Sequence, residues 1–183
     1  MRMILTPVAL FAVALSACGS NSDTGQAVLP SVVVTTSIAG DMVTAALGDL
    51  VGSALTVDII TPVGADAHEF APSAKQAETM ENADLLVVSG LGYEEGMTDL
   101  IANAMDAGAV AFVLGGALEP SEGVDPHVWL DPVLMSEVFA TFPEAVASTT
   151  GVPIADVSAN TAAYVAELVE LDDAPPSVYG RIE

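Results

Sequence analysis

Four short apolar runs, each separated from the next by a helix-like segment, restrict the possible folds of this chain. The first run, Ser-Val-Val-Val-Thr-Thr at residues 31–36, is continuous and β-branched, which is typical of a strand buried on both faces. Similar runs follow at residues 55–60, 85–89 and 110–114. Strands that alternate with helices across short connections form parallel sheets. The sequence therefore predicts an α/β fold with a four-stranded parallel sheet and flanking helices.

Helix signals occupy the segments between and after these runs. Ser73 and Gln76 have the spacing of a capping box, in which each residue satisfies a free N–H group of the first turn. Asp131-Pro132 marks a second helix start, because Asp accepts first-turn hydrogen bonds and Pro tolerates the first helical position. Pro143 is expected to kink or split that helix. The predicted helices span residues 38–47, 74–82, 96–107, 132–149 and 155–172.

The chain contains only two histidines, and each follows a predicted strand. His68 lies in Gly-Ala-Asp-Ala-His-Glu-Phe after the second strand, and His127 lies in Asp-Pro-His-Val-Trp-Leu-Asp-Pro after the fourth. Ligands of parallel sheets bind at the carboxyl ends of the strands, so both imidazoles are expected at the binding edge. Imidazole is a common ligand of zinc, manganese and iron. Two imidazoles are only half of a tetrahedral set, so a surface or core-polar role for each histidine stays open on spacing alone.

The carboxylates near the histidines are expected to assist rather than to bind a metal directly. Asp66, Glu69 and Asp125 are interpreted as solvated residues or as partners that orient an imidazole, and Asp131 as a helix cap. The nearby aromatic side chains are expected to pack rather than to form a cage around a ligand: Phe70, Tyr93 and Trp129.

The charge balance and the motif inventory exclude several function classes. The chain has 25 acidic residues against 3 basic ones and a formal net charge of −22, so no basic patch for nucleic acid or for an anionic membrane surface can form. It also lacks the Gly-x-Ser-x-Gly, His-Glu-x-x-His and phosphate-loop motifs of common enzymes. The sequence therefore predicts a binding protein with no catalytic residues.

The first 18 residues have the form of an export signal. Arg2 precedes an apolar stretch at residues 4–15 that is too short to span a bilayer. Leu15-Ser16-Ala17-Cys18 resembles the bacterial lipoprotein signal, in which the cysteine receives a lipid anchor. Secretion with Cys18 unmodified is the alternative. We expect a signal peptide at residues 1–18, a polar tether at residues 19–30, and an extracytoplasmic protein anchored to the bacterial membrane by lipid.

Four motifs, in this order behind the lipoprotein signal, give the chain a family resemblance. They lie at residues 33–38, 64–73, 83–92 and 125–132. Together they resemble the zinc/manganese solute-binding lipoproteins of ABC importers, known as the cluster A-I family. The stretch at residues 160–173 is similar to the start of the long helix that links the two lobes in that family.

The resemblance implies two α/β lobes with a divalent metal held in the cleft between them. His68 and His127 match the two ligands that the first lobe contributes. The chain ends at Glu183, before a second lobe, so we expect a truncated gene product, a fragment or a misassembled reading frame. Its metal-binding lobe is expected at residues 31–153 and the start of the linking helix at residues 154–183. The implied function is capture of zinc or manganese for an ABC permease in the membrane, and the choice between the two metals stays open.

Two other functions are kept as alternatives. The first is a surface-anchored adhesion or scaffold lipoprotein, because some relatives of this type are described as adhesins. The second is a metal-dependent hydrolase, which would need a general base beside the metal and an open coordination position.

Overall fold

The computed structural model describes residues 28–118 and 124–173. Its centre is a four-stranded, all-parallel sheet with the strand order β2-β1-β3-β4. The predicted α/β fold with a parallel sheet is confirmed. The strands are β1 (Ser31–Val34), β2 (Thr56–Ile59), β3 (Leu85–Val88) and β4 (Val110–Val113).

Five α-helices flank this sheet within the described residues. They are α1 (Ser37–Leu47), α2 (Ala74–Glu81), α3 (Thr98–Ala107), α4 (Pro132–Thr150) and α5 (Ile154–Asp173). Four short 3-10 turns lie between them, at Gly48–Leu50, Glu95–Met97, Leu114–Ala117 and Val128–Leu130. The predicted elements are therefore present in the predicted order, and their ends differ from the predicted ones by at most two residues.

The predicted helix starts are confirmed in atomic detail. The Ser73 side chain accepts a hydrogen bond from the Gln76 N–H, and the Gln76 side chain accepts one from the Ser73 N–H, which completes the capping box of α2. Asp131 caps α4 by accepting a hydrogen bond from the Leu134 N–H at 3.0 Å. Each cap satisfies backbone donors that would otherwise have no partner.

Of the two outcomes predicted for Pro143, a kinked or a split helix, the split does not occur. Helix α4 continues through Pro143 from Pro132 to Thr150. A proline inside a helix costs about 3 kcal/mol, because one backbone hydrogen bond is lost and the ring crowds the preceding turn. The surrounding side chains Phe139, Phe142 and Val146 are fully buried, and their packing offsets this cost.

The core has two parts, one on each face of the sheet. Successive side chains of a strand point to opposite faces. Val32 and Val34 accordingly pack with α1, α4 and α5, whereas Val33 packs with α2 and α3 on the other face. All three side chains have no exposed surface, as expected for a strand with helices on both sides.

Helix α5 packs against α4 and α1 through a buried stripe that includes Val157 and Thr161. The Thr161 hydroxyl donates to the carbonyl of Ala46 at 3.2 Å, and the Asn160 amide donates to the carbonyl of Leu47 at 2.9 Å. The apolar stripe of this helix is thus used for packing on the rest of the fold.

No helix within residues 28–118 and 124–173 is both long and apolar enough to cross a membrane. The predicted signal peptide with Cys18, most of the predicted tether and the last ten residues of the chain lie outside the described residues.

Candidate metal centre

The two histidines meet above the carboxyl ends of the central strands. His68 lies in the loop after β2 and His127 in the segment after β4. These strands form the two opposite edges of the sheet, so both loops must reach inward to approach each other. The chain runs outward from β1 to β2 on one side and from β3 to β4 on the other. The pair of imidazoles therefore lies at the crevice between β1 and β3, where ligands of open parallel sheets bind.

The separation of the two imidazoles fits a shared ion. Their ring centroids are 5.8 Å apart and the ring planes are inclined by 60°. A metal ion lies about 2 Å from each ring nitrogen, which places the centroids of two imidazoles on one ion about 5–6 Å apart. The observed arrangement has this spacing.

Both histidines are positioned by the same local motif, an aspartate two residues earlier. The Asp66 carboxylate accepts a hydrogen bond from the backbone N–H of His68 at 3.0 Å, and Asp125 accepts one from the backbone N–H of His127, also at 3.0 Å. This is the Asx-turn geometry that aspartate favours in loops. The repeated Asp-x-His spacing therefore has a structural basis.

Asp125 also orients the imidazole of His127. The Nδ1 atom of His127 and the Oδ1 atom of Asp125 are 2.5 Å apart. Because an ionised carboxylate only accepts hydrogen bonds, this contact selects the tautomer of the neutral imidazole that has its hydrogen on Nδ1 and its lone pair on Nε2. The backbone N–H of His127, followed by its ring N–H, holds the pKa of Asp125 below its usual value. The sequence interpretation of Asp125 as an orienting partner agrees with this hydrogen bond.

Tyr93 fills the space behind the two imidazoles. Its ring contacts His68 at 4.6 Å and His127 at 5.3 Å between centroids, in edge-on geometry. Trp129 contacts Tyr93 at 4.7 Å and His127 at 5.1 Å. Burial, followed by the charges of Asp66 and Glu94, raises the pKa of Tyr93.

The three aromatic residues singled out in the sequence pack as predicted, and two of them also contact the histidines. Phe70 packs against the core on the α2 and α3 face. Tyr93 and Trp129 pack against the imidazole pair itself and limit where the rings can lie. Trp129 was expected to anchor the His127 segment, whereas sequence reasoning did not connect Tyr93 with the histidines, because Tyr93 is far from both of them in the chain.

Glu94 is a further residue of this region that the sequence analysis missed. Its side chain is 3% exposed and lies at the carboxyl ends of β1 and β3. It accepts hydrogen bonds from the Thr35 hydroxyl at 2.6 Å and from the backbone N–H groups of Ser89 and Gly90 at 2.6 and 3.1 Å. The available signal was a glutamate directly after Gly-Leu-Gly-Tyr, in a turn at the same edge of the sheet as the histidines.

The two imidazoles are the candidate metal ligands of this region. Within the described residues, no group of three or more His, Cys, Asp or Glu side chains is arranged to hold a metal ion. Glu69 is exposed, and Asp131 is engaged as the cap of α4. A tetrahedral ion bound here would need further ligands beyond the two imidazoles.

Comparisons with known proteins agree with this fold. The chain is 28% identical over 173 residues to the manganese-binding lipoprotein MntA of Halalkalibacterium halodurans, an alignment that covers 91% of this chain and 56% of that protein. It is 33% identical over 132 residues to the iron ABC transporter substrate-binding lipoprotein MtsA of Streptococcus pyogenes, covering 64% of this chain and 41% of MtsA. These relatives are named as binding proteins rather than enzymes, in agreement with the prediction of a binding protein.

A solved structure extends the comparison to three dimensions. The zinc-bound ZnuA-like domain of AdcA from Streptococcus pneumoniae superposes with a TM-score of 0.68 at 23% identity, covering 80% of this chain and 54% of that one. The chain thus spans about half the length of the proteins that it matches.

The family profile described as "Zinc-uptake complex component A periplasmic" matches residues 32–177, which is most of the chain. The four motifs singled out in the sequence lie inside this match. The chain belongs to the zinc-uptake complex component A family.

Proposed function

We propose that this chain is the metal-capturing lobe of the substrate-binding component of an ABC importer for a divalent transition metal. The observation that carries the proposal is the pair of imidazoles at the crevice between β1 and β3, 5.8 Å apart, one of which is oriented by Asp125. The family membership and the names of the relatives support the same conclusion.

The proposed chemistry is capture of the cation as cargo. His68 and His127 each donate a neutral ring nitrogen to the ion, and Asp125 keeps His127 in the tautomer with a free Nε2 atom. The net charge of −22 raises the local concentration of cations around the lobe. Since protons compete with the metal for the ring nitrogens, acidification weakens binding.

We propose zinc or manganese as the cargo. One relative is named for manganese, one for iron, and a related structure contains zinc. Imidazole suits zinc and iron well, and carboxylate oxygen suits manganese, so the remaining ligands select among these ions. Titration of the chain with each metal in turn, in competition with a chelator of known affinity, ranks the three ions.

We further propose that the lobe works on the outer side of the membrane. In this proposal residues 1–18 direct export, Cys18 carries the lipid, residues 19–30 tether the lobe at residues 31–153, and residues 154–183 begin the connection to further chain. A membrane permease receives the metal. The lipoprotein names of the relatives support this arrangement. Metabolic labelling with a radioactive fatty acid tests it: label should be incorporated into the wild-type chain and lost in Cys18→Ser.

Substitution of the histidines tests the metal site. We expect His68→Ala and His127→Ala each to abolish measurable zinc binding in a calorimetric titration, because either change leaves a single imidazole. Asp99→Asn, which alters an exposed carboxylate on α3, is the matched control and should bind as the unchanged chain does. If neither histidine substitution alters binding, the proposed site is wrong.

A further inference from the structure

Glu94 belongs to the turn after β3, which also contains Tyr93, the residue that contacts both histidines. Residues 90–94 follow β3, and Gly90, Leu91 and Gly92 all have positive φ angles of 81°, 56° and 81°. Leu91 is in a backbone conformation that non-glycine residues rarely adopt, so the turn needs other interactions to hold it. The Glu94 carboxylate supplies them by accepting the N–H groups of Ser89 and Gly90, at the start of the same turn.

The same carboxylate joins this turn to the neighbouring strand. Its Oε1 atom accepts a hydrogen bond from the Thr35 hydroxyl, directly after β1, at 2.6 Å. The backbone of Thr35 in turn accepts from Thr61 N–H at 3.0 Å, at the beginning of the loop that carries His68. Glu94 thereby ties together the ends of β1 and β3, with β2 one hydrogen bond away.

The residues on either side of Glu94 contact the imidazoles or their loops. Tyr93 touches both rings, at 4.6 and 5.3 Å between centroids. Two residues after Glu94, the Gly96 N–H donates to the carbonyl of His68 at 2.9 Å. A shift of Glu94 therefore displaces the aromatic ring behind the histidines and the backbone of His68 together.

We propose that Glu94 is a positioning residue of the metal site, which sets the separation of His68 and His127 through Tyr93 and Gly96 without binding the ion itself. This inference rests on the proposed function, because it assigns a role in the same site. A buried carboxylate suits such a role, because it needs several hydrogen-bond donors and holds them in a fixed arrangement.

Glu94→Gln tests the proposal with nearly unchanged volume. The amide replaces one acceptor oxygen by a donor, which faces an N–H group of Ser89 or Gly90 and breaks at least one of the three bonds. We expect zinc affinity to fall about 10- to 100-fold, as is typical when a residue that supports metal ligands is changed. The near-ultraviolet circular dichroism of the metal-free chain should also change, because Tyr93 and Trp129 lose their mutual orientation; Trp129 is the only tryptophan.

Thr161→Val is the matched control for a loss of stability alone. Thr161 is as buried as Glu94, and its hydroxyl bonds to Ala46 at the α1–α5 contact, away from the site. This variant should lower the melting temperature yet keep the zinc affinity and the near-ultraviolet spectrum. Unchanged affinity and spectrum in a folded Glu94→Gln variant would overturn the proposal, and so would equal losses of affinity in both variants.

Thr35→Val decides the matter if Glu94→Gln does not fold. It removes one of the three donors and leaves the carboxylate with two backbone N–H groups. We expect a smaller loss of affinity and a smaller spectral change in the same direction, and wild-type values for both would refute the proposal. If the unchanged chain binds no metal, the proposed function fails, and the spectral comparison alone then judges whether Glu94 positions the aromatic and imidazole rings.

Discussion

At the scale of single residues, the two histidines are held by different means despite their shared Asp-x-His motif. His127 is oriented by a hydrogen bond from its own ring to Asp125. His68 is anchored by its backbone, through Asp66 and Gly96, and its ring rests on Tyr93. The orientation of the His127 ring therefore depends on one carboxylate as well as on its aromatic contacts, whereas that of the His68 ring depends on packing.

We predict that Asp125→Ala weakens zinc binding about 10-fold or more, because His127 loses the group that fixes its tautomer. Asp125→Asn should have a smaller effect, since the amide oxygen still accepts the ring N–H as a neutral and weaker acceptor. Competition with a chromophoric chelator measures both affinities. Asp131→Asn, in the same segment, keeps a good helix cap and should leave the affinity unchanged. Equal affinities for Asp125→Ala and the unchanged chain would exclude the orienting role.

At the scale of secondary-structure elements, the 3-10 turn Glu95–Met97 and the His68 loop are in close backbone contact. A Cβ atom on Gly96 would lie 2.6 Å from the carbonyl oxygen of Phe70 and 2.9 Å from the carbonyl carbon of Glu69. Both contacts are with backbone, which cannot rotate away as a side chain can. The absence of a side chain at Gly96 thus allows this close approach.

We predict that Gly96→Ala displaces the His68 loop and lowers zinc affinity about 10-fold, with a loss of about 1–3 kcal/mol in the free energy of unfolding. Gly116→Ala is the control, because a Cβ there would meet only side-chain atoms of Val113, at 3.3 Å and beyond. Chelator competition and urea denaturation measure the two effects. Wild-type affinity in Gly96→Ala would show that the loop accommodates the methyl group without moving His68.

The contact between α4 and α5 gives a prediction about alkaline pH. The Tyr164 ring lies 5.0 Å from that of Phe139, and burial, followed by the charge of Glu167, raises the pKa of Tyr164 to about 12 from 10.0. Because the folded chain disfavours the phenolate, this contribution to stability is complete below pH 10 and is lost as the pH rises towards 12. In an ultraviolet titration, Tyr164→Phe should remove the phase that ionises last; persistence of that phase would assign it to another tyrosine.

At the scale of the whole molecule, the fold has three layers, with helices packed on both faces of one sheet. The larger part of the core joins β1 and β3 to α1, α4 and α5, and Phe139 and Phe142 are among its largest fully buried side chains. Phe139 contacts Phe142 within α4 and Tyr164 on α5, both in edge-on geometry, and the second contact connects the last two helices. Helix α5 is therefore held on the lobe by the same cluster that stabilises the sheet.

We predict that Phe139→Ala lowers the free energy of unfolding by about 3–5 kcal/mol, because it removes a fully buried ring and leaves a cavity between α4 and α5. This is a large share of the roughly 5–15 kcal/mol that stabilises a typical domain. Urea denaturation provides the measurement. Leu130→Ala, at a side chain that is 74% exposed, should change stability by less than about 0.5 kcal/mol. A loss below 1 kcal/mol for Phe139→Ala would mean that α5 contributes little to the fold.

The helices, the strands and the position of the histidines at the carboxyl ends of the strands could all be predicted from the sequence. Continuous apolar runs, helical spacing and capping residues act over a few neighbours, so they are visible in the chain without its fold. The parallel arrangement follows from the alternation of strands and helices, and it places the loops after β2 and β4 at the same end of the sheet, beyond the carboxyl ends of the strands. The orienting role of Asp125 was accessible for the same reason, because it lies two residues from His127.

Which distant side chains meet follows from the packing of the whole chain. The order β2-β1-β3-β4 makes β2 and β4, which precede the two histidine loops, the outer strands of the sheet. The loops reach inward from these strands, so that the centroids of the two imidazole rings lie 5.8 Å apart. The contact of Tyr93 with both rings, the buried bonds of Glu94 and the unbroken helix at Pro143 likewise depend on packing between segments far apart in sequence. Local patterns carry no information about such contacts, because their energies arise only when the layers assemble.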